Sequence, residues 1–204
     1  MNYMSESLLS SLKNLALGCG FTHTGELSVE TLKVRSEVRD ACAANKCGNY
    51  GKSWSCPPAC GDITDCEKKM RKFQHGLILQ TMGRLEDPMD YEEMRKIGGK
   101  QKVHLRNFLA ALVSPQSPFM ACTDSPTESS ADGGALLEKF LILGSGSCKN
   151  CEKCSYPDSP CLFPEKMIIS MEAMGLVVSE VCKLNNIPYY YGPNTLAYVG
   201  CVLF

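Results

Sequence analysis

Residues 139–161 read KFLILGSGSCKNCEKCSYPDSPC: an apolar run passes through two glycines into four cysteines. The apolar part, KFLILGSGS, predicts a strand, so the cysteines fall in the loop at its end. A second and clearer strand signal, GLILQTM at residues 76–82, follows another cysteine-rich stretch, CAANKCGNYGKSWSCPPACGDITDC, from Cys42 to Cys66. Both strands are expected in the core, and if they are neighbours the two loops meet at one end of the sheet. The expected fold is α+β: one compact domain over residues 1–204, with an antiparallel or mixed sheet and cysteine-rich metal-binding loops appended to it.

The remaining elements alternate without strict order. Leu8, Leu9, Leu12, Leu15 and Ala16 recur with helical spacing and predict an amphipathic helix ending near Gly18. FTHTGEL then reads as a short strand, and residues 28–40 as a helix with Ser28 as its cap. Asp87 and Pro88 carry a cap and first-turn signature, followed by a stripe of Met94, Ile97, Leu105, Phe108 and Leu112 that Gly98 and Gly99 interrupt. Residues 114–135 are rich in Ser, Pro and Gly and read as a long loop or lid. Pro164 predicts a helix start, with Met167, Ile168, Met171 and Met174 along one face, and residues 176–185 a further helical segment. The closing YYYGPNTLAYVGCVLF predicts two strands around a Gly-Pro-Asn turn.

Composition narrows the function. The 204 residues are 44% hydrophobic, enough for a core without covalent staples. A formal charge of -1 and a pI near 6.3 supply no basic field for nucleic acid or an anionic membrane surface. There is no apolar run near the ~18 residues of a membrane span and no signal-peptide pattern at the N-terminus, so a cytoplasmic protein is expected. In a reducing cytosol the thirteen cysteines, an odd number, argue for metal rather than for disulfides.

Cys148, Cys151 and Cys154 form the Cys-x2-Cys-x2-Cys run of a chain curling round an iron–sulfur cluster, each thiolate reaching its own corner iron. Cys161 is the nearest fourth ligand, although its gap of six differs from the gap of three in bacterial ferredoxins. Four thiolates also suit a structural zinc, which is the alternative cofactor. Upstream, Cys42, Cys47, Cys56 and Cys60 have gaps of four, eight and three and are compact enough for one metal centre, with Cys66 as a replacement for Cys60. Cys19, Cys122, Cys182 and Cys201 read as isolated packing residues.

Three stretches, CAANKCGNYGKSWSCPP, GSGSCKNCEKCSYPDSPCLFPEKMIISMEAMGL and YYYGPNTLAYVGCVLF, together make the chain from about Arg39 onward resemble the DUF2284 family, predicted metal-binding proteins typical of anaerobic bacteria and archaea. The resemblance implies metal at the motif cysteines and nothing catalytic. It departs from the family at Leu162, where a basic residue often stands.

Other motifs are weak. LGSGSCK fails the dinucleotide fingerprint because Lys149 stands where the third glycine belongs. His23, His75 and His104 are scattered, no Ser-His-Asp set or close carboxylate pair stands out, and Glu165, Lys166 and Glu172 read as solvated or as supporting the metal ligands from behind, rather than as catalytic. Tyr50 and Trp54, inside the first cluster, are placed to shield a metal from water or simply to pack. The expectation is a protein with one or two iron–sulfur clusters, of the 4Fe-4S type, passing electrons to a redox protein partner in an anaerobic cytosol. A zinc-stabilised binding module is the alternative.

Overall fold

The computed structural model describes residues 3–114, 116, 117, 119 and 139–204, so most of the Ser/Pro/Gly loop and Cys122 lie outside the described residues. Five strands form one mixed sheet: β1 (His23–Ser28), β2 (His75–Arg84), β3 (Leu141–Gly144), β4 (Ile169–Ser170) and β5 (Thr195–Leu203), in the order β1-β2-β5-β3-β4. All pairs are antiparallel except β3 with β4. The fold is therefore α+β with a mixed open sheet.

Both faces of the sheet are covered, which explains why β2 and β3 read as unbroken apolar runs rather than as alternating ones. On one face Leu77 and Leu79 of β2, Ile142 of β3 and Val202 of β5 pack under helices α1 (Tyr3–Gly18) and α4 (Tyr91–Leu112), through Leu12, Ala16, Leu105, Phe108 and Leu112. On the other, Ile78, Leu143, Val199, Cys201 and Leu203 pack against α3 (Ile63–Met70), α5 (Val178–Leu184) and the turn carrying Met171 and Met174. Among the described residues no helix is long and apolar enough to cross a membrane.

Four local readings are corrected. The helix expected over 28–40 is broken: a single 3-10 turn spans Val29–Thr31 with no side-chain cap from Ser28, and α2 occupies only Ser36–Ala43. Between them the chain is drawn to the 171–176 turn, through a bridge from Val34 to Leu176 and the Arg35 amide donating to Gly175 O at 2.8 Å. The cap of α4 is Asp90, which accepts from the Glu93 amide at 3.0 Å, while Asp87 closes a preceding turn on Met89. Pro164 opens one 3-10 turn and not a helix. The chain beyond it is a strand whose residues alternate, Ile168 packing toward the α1/α4 side and Ile169 toward the other. Only one strand closes the fold, because the Tyr189–Tyr191 segment is held by side chains instead: Tyr191 Oη donates to Gln80 Oε1 at 2.5 Å and Gln80 Nε2 to Pro188 O at 2.8 Å.

The two glycines inside α4 do not break it, because Gly98 gives room for a neighbour: a Cβ there would stand 3.0 Å from the Tyr198 ring. Gly200 in central strand β5 is tighter, since its Cβ would meet the Leu143 carbonyl oxygen at 2.6 Å, an atom fixed in the ladder. Gly200→Ala is expected to destabilise the fold by about 1–3 kcal/mol, as for other overpacked interiors. A urea midpoint equal to that of the parent, at unchanged slope, would overturn this.

Candidate metal centre

The strands that flank the cysteine loops are not adjacent, contrary to the sequence expectation, because β5 lies between β2 and β3. Both pair antiparallel with β5, so they run the same way. The upstream loop enters β2 from one end and the downstream loop leaves β3 at the other. The loops meet nonetheless because α3, eight residues or about 12 Å of helix, carries the chain back across the sheet face. Asp62 caps that helix, accepting from the Asp65 amide at 2.9 Å.

The upstream loop is built of turns. Asn45, Gly48 and Gly51 all take positive φ, and the Gly51 amide donates to Pro57 O at 2.9 Å, folding the segment back on itself. This brings Cys42, Cys47, Cys56 and Cys60 within electrostatic reach of one another. Burial pushes the Cys56 thiol up; the Ser55 hydroxyl holds it down in part, and the charges of Cys47, Cys60 and Cys42 push it further up. Burial is likewise the main cause of the raised Cys42 thiol, with Arg39 opposing and Cys47, Glu172 and Cys60 adding to it. Burial raises the Cys66 thiol and the charge of Cys60 raises it further, with Arg39 opposing, and Cys66 sits fully buried on α3 in the sheet-side core. Cys60 acts on Cys42 and Cys56 as well as on Cys66, which favours Cys60 over Cys66 as the fourth member of the upstream set.

Sequence reading missed Arg39. Its guanidinium reaches Cys60 Sγ at 3.2 Å and the carbonyls of Gly61 and Ala173, tying the upstream loop to the 171–175 turn. Nothing in the sequence around α2 marks this arginine apart from its place three residues before Cys42.

The downstream loop explains the gap of six. The Ser159 amide donates to Ser155 O at 3.0 Å and Ser155 Oγ to Pro160 O at 2.8 Å, so the residues between Cys154 and Cys161 double back as a closed turn. Cys161 is returned beside Cys148, Cys151 and Cys154, and all four line one cavity of about 220 Å³. Burial raises the Cys151 thiol, and the charges of Cys148, Cys161 and Cys154 raise it again. Cys154 differs. Burial pushes it up, but hydrogen bonds from the backbone of Tyr156, Trp54 and Ser155 and from the Ser53 hydroxyl outweigh that and hold the thiol below its ordinary value. Thiolates crowded this way repel one another, a cost that a bound cation relieves.

The two loops are fastened together. The Cys148 amide donates to Ser55 Oγ at 2.9 Å, and Ser147 Oγ to Asn49 Oδ1 at 3.3 Å. Trp54 Nε1 donates to Ser159 O at 3.1 Å, and its ring meets Tyr156 edge to face at 5.0 Å. Trp54, Phe163 and Met167 supply apolar wall to the cavity. Ser55 Oγ also lies 4.0 Å from Cys56 Sγ, so one serine stands between the two cysteine sets. Among the described residues, no three His, Cys, Asp or Glu side chains converge on a point that would hold a single metal ion.

A family model described as a predicted metal-binding protein, DUF2284, matches residues 25–124 and 130–204. The chain belongs to the DUF2284 family. The family is described as predicted metal-binding proteins, and both cysteine sets fall inside the matched segments. No curated protein and no solved structure matches the chain.

Among the described residues, Cys19, Cys182 and Cys201 behave as packing residues. Cys182 and Cys201 are buried in the sheet-side core, where burial pushes Cys182 up to about 11 and Cys201 higher still. Cys19 is half-buried beside the α1/α4 core, and burial raises it too.

Of the two sequence readings of Glu172, the solvated one fails, while its charge does act on Cys42. One carboxylate oxygen is buried without a hydrogen-bond partner among the described residues, and burial raises the carboxyl, with its own amide and the Ser170 hydroxyl opposing in part. A folded acid raised above its unfolded value of about 4.3 holds its proton more tightly than the unfolded chain does. Stability is then lost as pH rises from that value through the raised one. Glu172→Gln is expected to raise the Tm at pH 7 and to lose that advantage below about pH 4. An equal difference at both pH values would count against this account.

Proposed function

We propose that this protein is an iron–sulfur protein in which Cys148, Cys151, Cys154 and Cys161 hold one cluster and Cys42, Cys47, Cys56 and Cys60 hold a second metal centre. The observation that carries this reading is the cavity walled by all four downstream thiols. Its volume of about 220 Å³ is many times the ~10–15 Å³ of such space that one water needs. Thiols distributed round such a wall suit a polynuclear group that offers a separate iron to each thiolate. A structural zinc instead needs its sulfurs at about 2.3 Å from one point.

The donor set fits the group. Thiolate is the ligand such clusters take, and the apolar wall of Trp54, Phe163 and Met167 lowers water access, which tunes potential. When bound, the cluster supplies one-electron redox chemistry. The chain's own residues do the rest: the Ser155–Ser159 turn sets the fourth thiol, Ser53 and nearby amides favour the Cys154 thiolate, and Ser55 fixes the distance between the two centres. Two centres joined through one serine suit a short electron path, as in a small electron carrier or the accessory subunit of a redox enzyme in an oxygen-poor cytosol, working with a redox protein partner.

The test is a count of iron and acid-labile sulfide in protein purified without oxygen, together with its absorption spectrum. Iron and sulfide in equal amounts, with a brown colour, support the reading. Colourless protein carrying zinc overturns it, since zinc has no accessible redox state.

A further inference from the structure

Beside the downstream loop, on its α4 side, a second cavity of about 40 Å³ is lined by residues 144–150, by Lys102, Leu105 and Arg106 of α4, and by Lys166 and Ile168. A water needs ~10–15 Å³ of such space, so the cavity holds a group of a few heavy atoms. Its lining is one-sided in charge: Lys102, Arg106, Lys149 and Lys166 contribute four cations, and none of them pairs with a carboxylate among the described residues. The same lining includes the 144–149 turn. Gly146 takes φ +65, and the amides of Gly146, Ser147 and Lys149 have no hydrogen-bond partner among the described residues.

We propose that this cavity is a binding site for a phosphoryl-type dianion, held by Lys102, Arg106 and Lys149 together with the amides of the Gly144–Lys149 turn. Cationic side chains facing a glycine turn with free amides are the two parts from which oxyanion sites are made. Lys102 is already positioned, since its Nζ donates to Ser147 O at 3.2 Å and stays within 3.8 Å of where a Gly146 Cβ would stand. Burial pushes its ammonium down and Lys149 pushes it further, with Cys148 opposing and Arg106 adding to the depression, so the cations repel one another and an anion among them relieves the repulsion. The failed dinucleotide motif LGSGSCK acquires a role here: its glycines serve a single anionic group, without the helix that a dinucleotide site needs. Cys148 belongs to both cavities, which sets a bound anion against the downstream cysteines.

The proposal does not depend on which metal the cysteines take. The experiment is calorimetric titration of inorganic phosphate into the anaerobically purified full chain, at fixed ionic strength set with chloride, with metal content measured on every sample. Saturable binding of one phosphate per chain is expected, with acetate at least about tenfold weaker. Lys102→Met and Arg106→Gln should each weaken phosphate by about tenfold, the loss of one charge-assisted hydrogen bond, with metal content unchanged. Arg106 is exposed on α4, so its variant is informative even if Lys102→Met folds poorly. Absent saturation, acetate binding as tight as phosphate, or phosphate binding untouched by Arg106→Gln would each overturn the proposal. A protein that binds phosphate as expected but contains zinc would refute the iron–sulfur reading alone.

Discussion

Cys151→Ser is expected to remove the whole downstream metal centre, not a fraction of it. Cys151 is the middle ligand of the Cys-x2-Cys-x2-Cys run, and the thiol feels the charges of Cys148, Cys161 and Cys154 around one cavity. A hydroxyl supplies no thiolate at neutral pH, and a cluster with an open iron beside solvent is labile. The measured loss should equal the full iron and sulfide complement of one centre, with the upstream centre retained. Secondary structure should persist, because the fold rests on two apolar cores that do not include Cys151. Unchanged metal content in this variant would remove the downstream site from the proposal.

The second large effect belongs to the upstream loop. A chain carrying both Cys47→Ser and Cys56→Ser should lose the upstream centre and keep the downstream absorption. Cys47 is exposed and Cys56 buried, yet each contributes to the same electrostatic group with Cys42 and Cys60. Intact stoichiometry would show that these are packing residues, and loss of all metal would show one centre shared by both loops. Cys201→Ser is the control: that thiol is fully buried in the sheet core and far from either set in role, so its variant should lower stability without changing metal content.

Sequence reading found the elements whose signal is local. The long apolar run of β2 and the amphipathic pattern of α1 survive in the structure because each is decided within a few residues. It failed where distant pairing overrode spacing. Met167 to Met174 have helical intervals, but Leu143 and Gly144 of β3 recruit Ile169 and Ser170 into the sheet, and the segment extends. Residues 32–35 were likewise drawn out by the bridge of Val34 to Leu176, more than a hundred positions away. At the candidate site, cysteine spacing proposed both sets, and the structure brings the four downstream cysteines to one cavity. Arg39 and the clasp of Ser55 on the Cys148 amide were invisible, since nothing in the intervening sequence announces that these loops touch.

The place of β5 bears on the order in which the molecule assembles. It is the central strand of the sheet, yet it follows both cysteine loops along the chain, and it pairs with β2 across more than a hundred residues. Pairings of such separation form late and slowly, because loop-closure entropy opposes them until the partner arrives. Each cysteine set, by contrast, lies within a short stretch and needs no sheet to bring its thiols into range. Metal can therefore reach either set on an open chain, and a metal that binds the unfolded state adds correspondingly less to the stability of the folded one. On the proposed two-centre reading, the meeting of the two loops at Ser55 requires the finished sheet, so the spacing between the centres is set late.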